Sequence, residues 1–89
     1  MTTQLQTYIQ AHGPDLRLRG RRLTFDGLCQ DGDIAVATVR GPRASYTAVL
    51  MTKTRVVGAP GAEAWAVMDQ RGRDVGRFAV DADRWIELS

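Results

Sequence analysis

The sequence predicts an α+β fold that is mainly β: a short N-terminal helix over about residues 3–12, then an antiparallel sheet of about six or seven strands in hairpins over about 16–88, curled into a roll or small barrel. Three observations carry this. One stretch of helical apolar spacing is stopped by Gly13 and Pro14. The apolar runs that follow alternate with period two between turn signals. Several of those runs are apolar on both faces, which an open, solvated sheet does not tolerate.

The helix is read from Leu5, Tyr8, Ile9 and His12, which recur on one face, and from Thr3 followed by Gln6, the spacing of a capping box. Being short, it is marginal alone and must pack on something. Next comes "LRLRGRRLTFDG", where Leu16 and Leu18 alternate with Arg17 and Arg19, and Leu23 and Phe25 with Thr24 and Asp26. A two-residue type II′ turn at Gly20-Arg21 would set Leu18 opposite Leu23, Leu16 opposite Phe25 and Arg19 opposite Arg22. The opening, "LQTYIQAHG" through this hairpin, resembles the start of the helix-plus-hairpin docking domains that join polyketide and peptide synthetase subunits. That likeness covers residues 5–27 of 89. Those domains continue into helices, whereas this chain continues into strands, so no function is carried over.

A second hairpin, "DIAVATVR" and "SYTAVLMTK", flanks Gly41-Pro42-Arg43-Ala44, with Pro42 at the turn position its fixed φ suits. It pairs Val39 with Tyr46 and Thr38 with Thr47. Ile34 and Val36 point one way and Ala35, Ala37 and Val39 the other, so burial on both sides is expected. After a loop containing "GAPGAE", Trp65 and Val67 face opposite to Ala64, Ala66 and Met68; "DQRGRD" turns the chain into Val75–Val80, and "RWIEL" closes the sheet. Six strands about 4.8 Å apart make a sheet about 30 Å wide, while the helix, about 15 Å long, covers only part of one face. The remainder must curl into a barrel or pair with a second copy; a homodimer with Trp65 or Tyr46 near the contact is expected.

At 89 residues the chain is expected to be a single domain, 1–89, and its 44% hydrophobic and 25% charged content is that of a soluble globular protein. No apolar run approaches the ~18 residues that span a bilayer. The opening residues lack a signal-peptide pattern, and Cys29 is the only cysteine, so no internal disulfide forms and a cytoplasmic location is expected.

Three arginine-rich stretches sit at hairpin turns: "RGRR" at 19–22, "RGPR" at 40–43 and "RGRD" at 71–74. In an up-and-down meander they share one rim carrying Arg19, Arg21, Arg22, Arg40, Arg43, Arg71 and Arg73 against Asp69 and Asp74. Asp26, Asp31, Asp33, Asp81 and Asp83 would hold the opposite end, partly offset by Lys53, Arg55 and Arg84. A chain of net charge +2 would then be electrically polar. Arginine suits forked contact with carboxylates or phosphates. Solvated turns rich in glycine and arginine also arise without any binding role.

Catalytic chemistry is not apparent. One histidine, one cysteine and two serines supply no separated nucleophile, base and orienter. His12 reads as a packed or cap-side imidazole, and Cys29, with no adjacent basic residue, as a quiet, partly buried thiol. Asp31-Gly32-Asp33 and Asp81-Ala82-Asp83 lack the spacing of a calcium loop, and "GAPGAE" lacks the lysine of a phosphate loop. No cofactor or metal is expected. Phe25, Tyr46, Trp65, Phe78 and Trp85 alternate mostly with small apolar residues and read as core; only Arg77-Phe78 and Arg84-Trp85 join a base to a ring, a weak signal for a nucleic-acid platform.

The expectation is therefore a non-enzymatic binding protein that occludes or bridges a protein partner, for instance a phage or mobile-element inhibitor of a bacterial defence complex such as a CRISPR effector. The alternatives are a nucleic-acid-binding accessory protein using the arginine rim, and a structural or assembly subunit.

Overall fold

The computed structural model describes residues 3–31 and 34–88, so the acidic pair at Asp31 and Asp33 lies outside the residues whose side chains are described. Helix α1, Gln4–His12, begins at Thr3 as the capping box requires: Thr3 Oγ1 accepts the Gln6 N–H at 3.1 Å, and Gln6 Oε1 accepts the Thr3 N–H at 3.2 Å. The remaining first-turn donors are met from the sheet. Glu63 Oε1 accepts the N–H of Gln4 at 2.7 Å and of Leu5 at 3.2 Å, placing a carboxylate at the positive end of the helix. The Gln4 side chain donates to the Gly61 carbonyl and accepts from the Ala82 N–H, both at 2.7 Å. These bonds fix α1 across one end of the sheet, where Leu5 is wholly buried.

Seven strands follow: β1 Asp15–Leu18, β2 Arg21–Asp31, β3 Ile34–Arg40, β4 Ser45–Met51, β5 Glu63–Met68, β6 Asp74–Asp81 and β7 Arg84–Leu88. They pair antiparallel in chain order, an up-and-down meander curled almost into a closed barrel. The second hairpin has the expected register, Val39 opposite Tyr46 and Thr38 opposite Thr47.

The first hairpin does not. Leu16 faces Leu23 and Leu18 faces Arg21, so the turn is Arg19-Gly20 rather than Gly20-Arg21, and the arginines that face each other are Arg17 and Arg22 rather than Arg19 and Arg22. Both turn residues have positive φ, 53° and 78°, as in a type I′ turn, whose twist matches that of the strands. The shift moves the pairing by whole pleats. Leu16, Leu18 and Leu23 therefore still share the buried face.

Inside the barrel, Leu16, Leu18, Leu23, Ala37, Val39, Ala48, Trp65, Val67, Phe78 and Val80 form one core with Leu5. Leu18 reaches across to β6 because Gly76 has no side chain: a Cβ there would lie 2.9 Å from a Leu18 methyl. A run of rings passes from Trp65 to Phe78 (centroids 6.3 Å apart), to Trp85 (4.3 Å) and on to Tyr8 (5.6 Å). Trp65, expected near a dimer contact, is wholly enclosed, and its indole N–H has no acceptor among the described residues. Tyr46 is half-buried.

Burial of β3 on both sides is not found. Ala35, Ala37 and Val39 face the core, but Ile34 on the other face is 52% exposed and Val36 half-exposed, because curling gives each strand one interior and one exterior face. The outer faces of β5 and β6 are covered instead by the 52–62 loop, whose Val56 and Ala59 pack on Ala64 and Ala79 beside Met51, Ile86 and Leu88. Closure within one chain thus removes the geometric reason for a dimer. Cys29 is exposed rather than partly buried, and His12, in the last turn of α1, is exposed at the cap side and lies against Tyr8 with ring centroids 4.5 Å apart.

Candidate functional site at the arginine rim

The meander brings the first, third and fifth connections, residues 19–20, 41–44 and 69–73, to one end of the barrel, opposite α1. All seven rim arginines lie on or beside these turns, and the fold divides them into three groups by the direction of the strand pleat.

Arg22 and Arg40 lie on the outer wall. Arg22 pairs with Asp15 at 3.0 Å and Arg40 with Asp26 at 3.5 Å, around a depression of about 370 Å³ that Thr24, Gly41 and Pro42 also line. Asp26 was expected at the opposite end. It comes to the wall because the β2–β3 register shifts between Phe25 and Gly27, inserting Asp26 as a bulge near Arg40. The Arg22–Asp15 side chains are 70% and 54% exposed, so the pair contributes only about 0–1 kcal/mol and yields readily to a competing anion.

Arg21 and Arg73 turn toward the barrel mouth, a depression of about 490 Å³ lined also by Tyr46, Asp69, Asp74 and Val75. Arg21 Nη1 donates to Tyr46 Oη at 3.2 Å. The Tyr46 ring is held in turn by Gly41, where a Cβ would come within 2.9 Å of the ring edge. Asp69 organises the third turn: its Oδ1 accepts the backbone N–H of Arg71 at 2.8 Å and of Arg73 at 2.9 Å, and its Oδ2 accepts Arg73 Nε at 3.0 Å. These bonds, first that from the Arg73 N–H, hold the Asp69 carboxyl below its ordinary pKa of 3.8 despite some desolvation.

Arg19, Arg43 and Arg71 form the third group, at the turn tips. All are exposed, and their side chains make no ion pair or hydrogen bond among the described residues. The Arg19 backbone is tied down, its N–H donating to Glu87 Oε1 at 2.9 Å. Glu87 therefore adds a carboxylate to this end that sequence reasoning placed nowhere.

Asp69 was expected on the rim, but its ordering of the third turn was not foreseen, and Tyr46 was missed as part of the rim's frame. Asp69 carries a readable signal, an aspartate two residues before a turn arginine with a glycine following, which is the setting of an Asx-turn. Tyr46 carries none, since its reach to Arg21 depends on barrel curvature. Phe78 is buried and Trp85 half-buried in the ring stack, so neither ring beside a basic residue stands free. Among the described residues no three His, Cys, Asp or Glu side chains cluster as a metal site, and no helix is long and apolar enough to cross a membrane. No protein-family model matches the chain, and comparison with curated proteins and with solved structures finds no match either.

Proposed function

We propose that this protein is a non-enzymatic binding module that engages an acidic surface of a protein partner through its arginine rim. The observation that carries the reading is the convergence of Arg19, Arg43 and Arg71 on one end of the barrel, exposed and without ion-pair partners among the described residues. Clustered exposed charge of one sign steers association and fixes orientation more than it adds to fold stability. Inhibition of a bacterial defence complex by a phage or mobile-element protein is a task that such a contact could perform, and it has no separate structural feature of its own. A protein partner is favoured over nucleic acid because Tyr46 is the one ring lining the mouth among the described residues and is half-buried and bonded to Arg21, whereas single-strand binders spread several bare rings among basic residues.

The test is capture of partners by the wild-type protein and by an Arg19→Asp, Arg43→Asp, Arg71→Asp variant, with binding of labelled DNA and RNA measured across a salt series. A protein captured by the wild type and lost by the folded variant supports the reading. Tight nucleic-acid binding with a steep salt slope and no captured protein overturns it in favour of the accessory-protein alternative.

A further inference from the structure

The barrel mouth holds a surplus of hydrogen-bond donors. Both of its carboxylates are occupied from within: Asp69 accepts from Arg71 N–H, Arg73 N–H and Arg73 Nε, while Asp74 Oδ1 accepts from Gly76 N–H at 3.0 Å and its Oδ2 from Arg77 Nε at 3.1 Å. The guanidiniums are far from saturated. Arg21 uses a single donor, on Tyr46, and Arg73 uses only Nε, so its two terminal amino groups have no partner among the described residues. Each guanidinium carries five N–H donors in a planar fork that matches an oxyanion. Beside them lie Val75, half-buried, and the Tyr46 ring, which offer apolar contact to a short methylene stem.

We propose that the mouth is the seat of one carboxylate from the protein partner, an Asp or Glu side chain whose oxygens are shared between Arg21 and Arg73 while its stem packs on Tyr46 and Val75. This rests on the binding-module reading above and adds a division of labour. The tip arginines Arg19, Arg43 and Arg71 attract and orient an acidic surface, and the mouth pair fixes one residue of it. The bonds of Asp69 serve this role: the one from Arg73 Nε sets the aim of a mouth guanidinium, and the one from the Arg71 N–H fixes the backbone that carries a tip arginine.

The experiment is an NMR titration of the ¹⁵N-labelled protein, following arginine Nε–H signals, with three probes: an oligoglutamate peptide, inorganic phosphate and oligodeoxythymidylate. Oligoglutamate is expected to shift the Arg21 and Arg73 signals saturably, and Arg21→Gln to weaken it about tenfold. Arg43→Gln should weaken it by less and mainly at low salt. Both side chains are exposed, so neither variant threatens the fold. Shifts confined to Arg19, Arg43 and Arg71, with Arg21→Gln binding as the wild type does, would overturn the seat while leaving the rim intact. Phosphate that shifts Arg21 and Arg73 as strongly as the peptide, at equal concentration, overturns the assignment to a carboxylate. Binding of the oligonucleotide alone overturns the seat together with the protein-partner reading.

Discussion

The indole N–H of Trp85 donates to the backbone carbonyl of Arg17 across 3.0 Å, joining the last strand to the first where no ladder of backbone bonds does so. Two residues further along the seam, Glu87 Oε1 accepts the Arg19 N–H. Two side chains thus stand in for missing ladder bonds between the edges of the sheet, and they stitch the edge that leads into the first arginine turn.

Trp85→Phe keeps the ring against Phe78 and Tyr8 but removes the seam bond. The expected loss is about 1–2 kcal/mol, from one hydrogen bond and a smaller ring. Hydrogen exchange should quicken at the β1 amides more than at β3. Glu87→Gln, which keeps an acceptor, is expected to cost less than Glu87→Ala. If exchange in β1 is unchanged in both Trp85→Phe and Glu87→Ala, the seam is held by packing alone.

Glu63 reaches from β5 to the first turn of α1 and accepts two of its backbone N–H groups. Glu63→Ala leaves those donors without their acceptor at a partly buried end. A loss of about 1–3 kcal/mol is expected, read as a lower denaturation midpoint with an unchanged slope. Glu63→Gln should recover part of it, since the amide oxygen still accepts but the charge on the helix dipole is gone. Because α1 lies at the end opposite the arginines, neither substitution should change partner affinity except through the folded fraction.

The elements were legible because their signals are local. The capping box at Thr3 and Gln6, the stop at Gly13, and the alternation around Pro42 each bind residues only a few positions apart. What was not legible depends on curvature or on single φ angles. The sequence around Gly20 permits two turns that both keep Leu16, Leu18 and Leu23 on one face, and periodicity cannot separate them; the positive φ at Arg19 decides. The bulge that brings Asp26 to Arg40 breaks the alternation by one residue and has no compositional mark. Apolar residues on both faces of β3 suggested double burial, yet a barrel wall satisfies the same pattern with Ile34 left half in water. The rim arginines were found because they sit at turns; their sorting into wall, mouth and tip required the pleat.

Asp69 ties acidity to the third arginine turn. Its folded pKa lies below the ordinary 3.8, so it stabilises the folded state above that value, and the contribution is lost as pH falls through the lower, folded pKa. Asp69→Asn should therefore melt below the wild type at neutral pH, and the gap should close as pH falls through 3.8 and on through the lower, folded pKa. In the variant the amide Oδ1 can still accept the Arg71 and Arg73 N–H groups, but an NH2 group in place of Oδ2 cannot accept from Arg73 Nε, so that guanidinium loses its anchor at every pH. Partner binding at neutral pH should weaken even where both proteins are fully folded. A gap in melting temperature that is constant from neutral to acid pH would show that the carboxylate charge plays no part.

Arg19 offers the clearest separation of fold from function. It is held at φ 53°, a left-handed conformation that costs a side chain other than glycine about 1 kcal/mol. Its side chain makes no bond among the described residues that would offset this. Arg19→Asn puts the favoured Asn-Gly pair into a type I′ turn and keeps the backbone bond to Glu87, so stability should rise by about 0.5–1 kcal/mol. If the rim binds an acidic surface, the same variant should associate more slowly, with a shallower dependence on salt, because one tip charge is gone. Opposite signs in the two measurements are the expected result, checked by thermal melting beside association rates at two ionic strengths. A variant that is more stable and binds its partner as fast as the wild type would mark Arg19 as an ordinary turn residue and leave Arg43 and Arg71 to carry the tip contact.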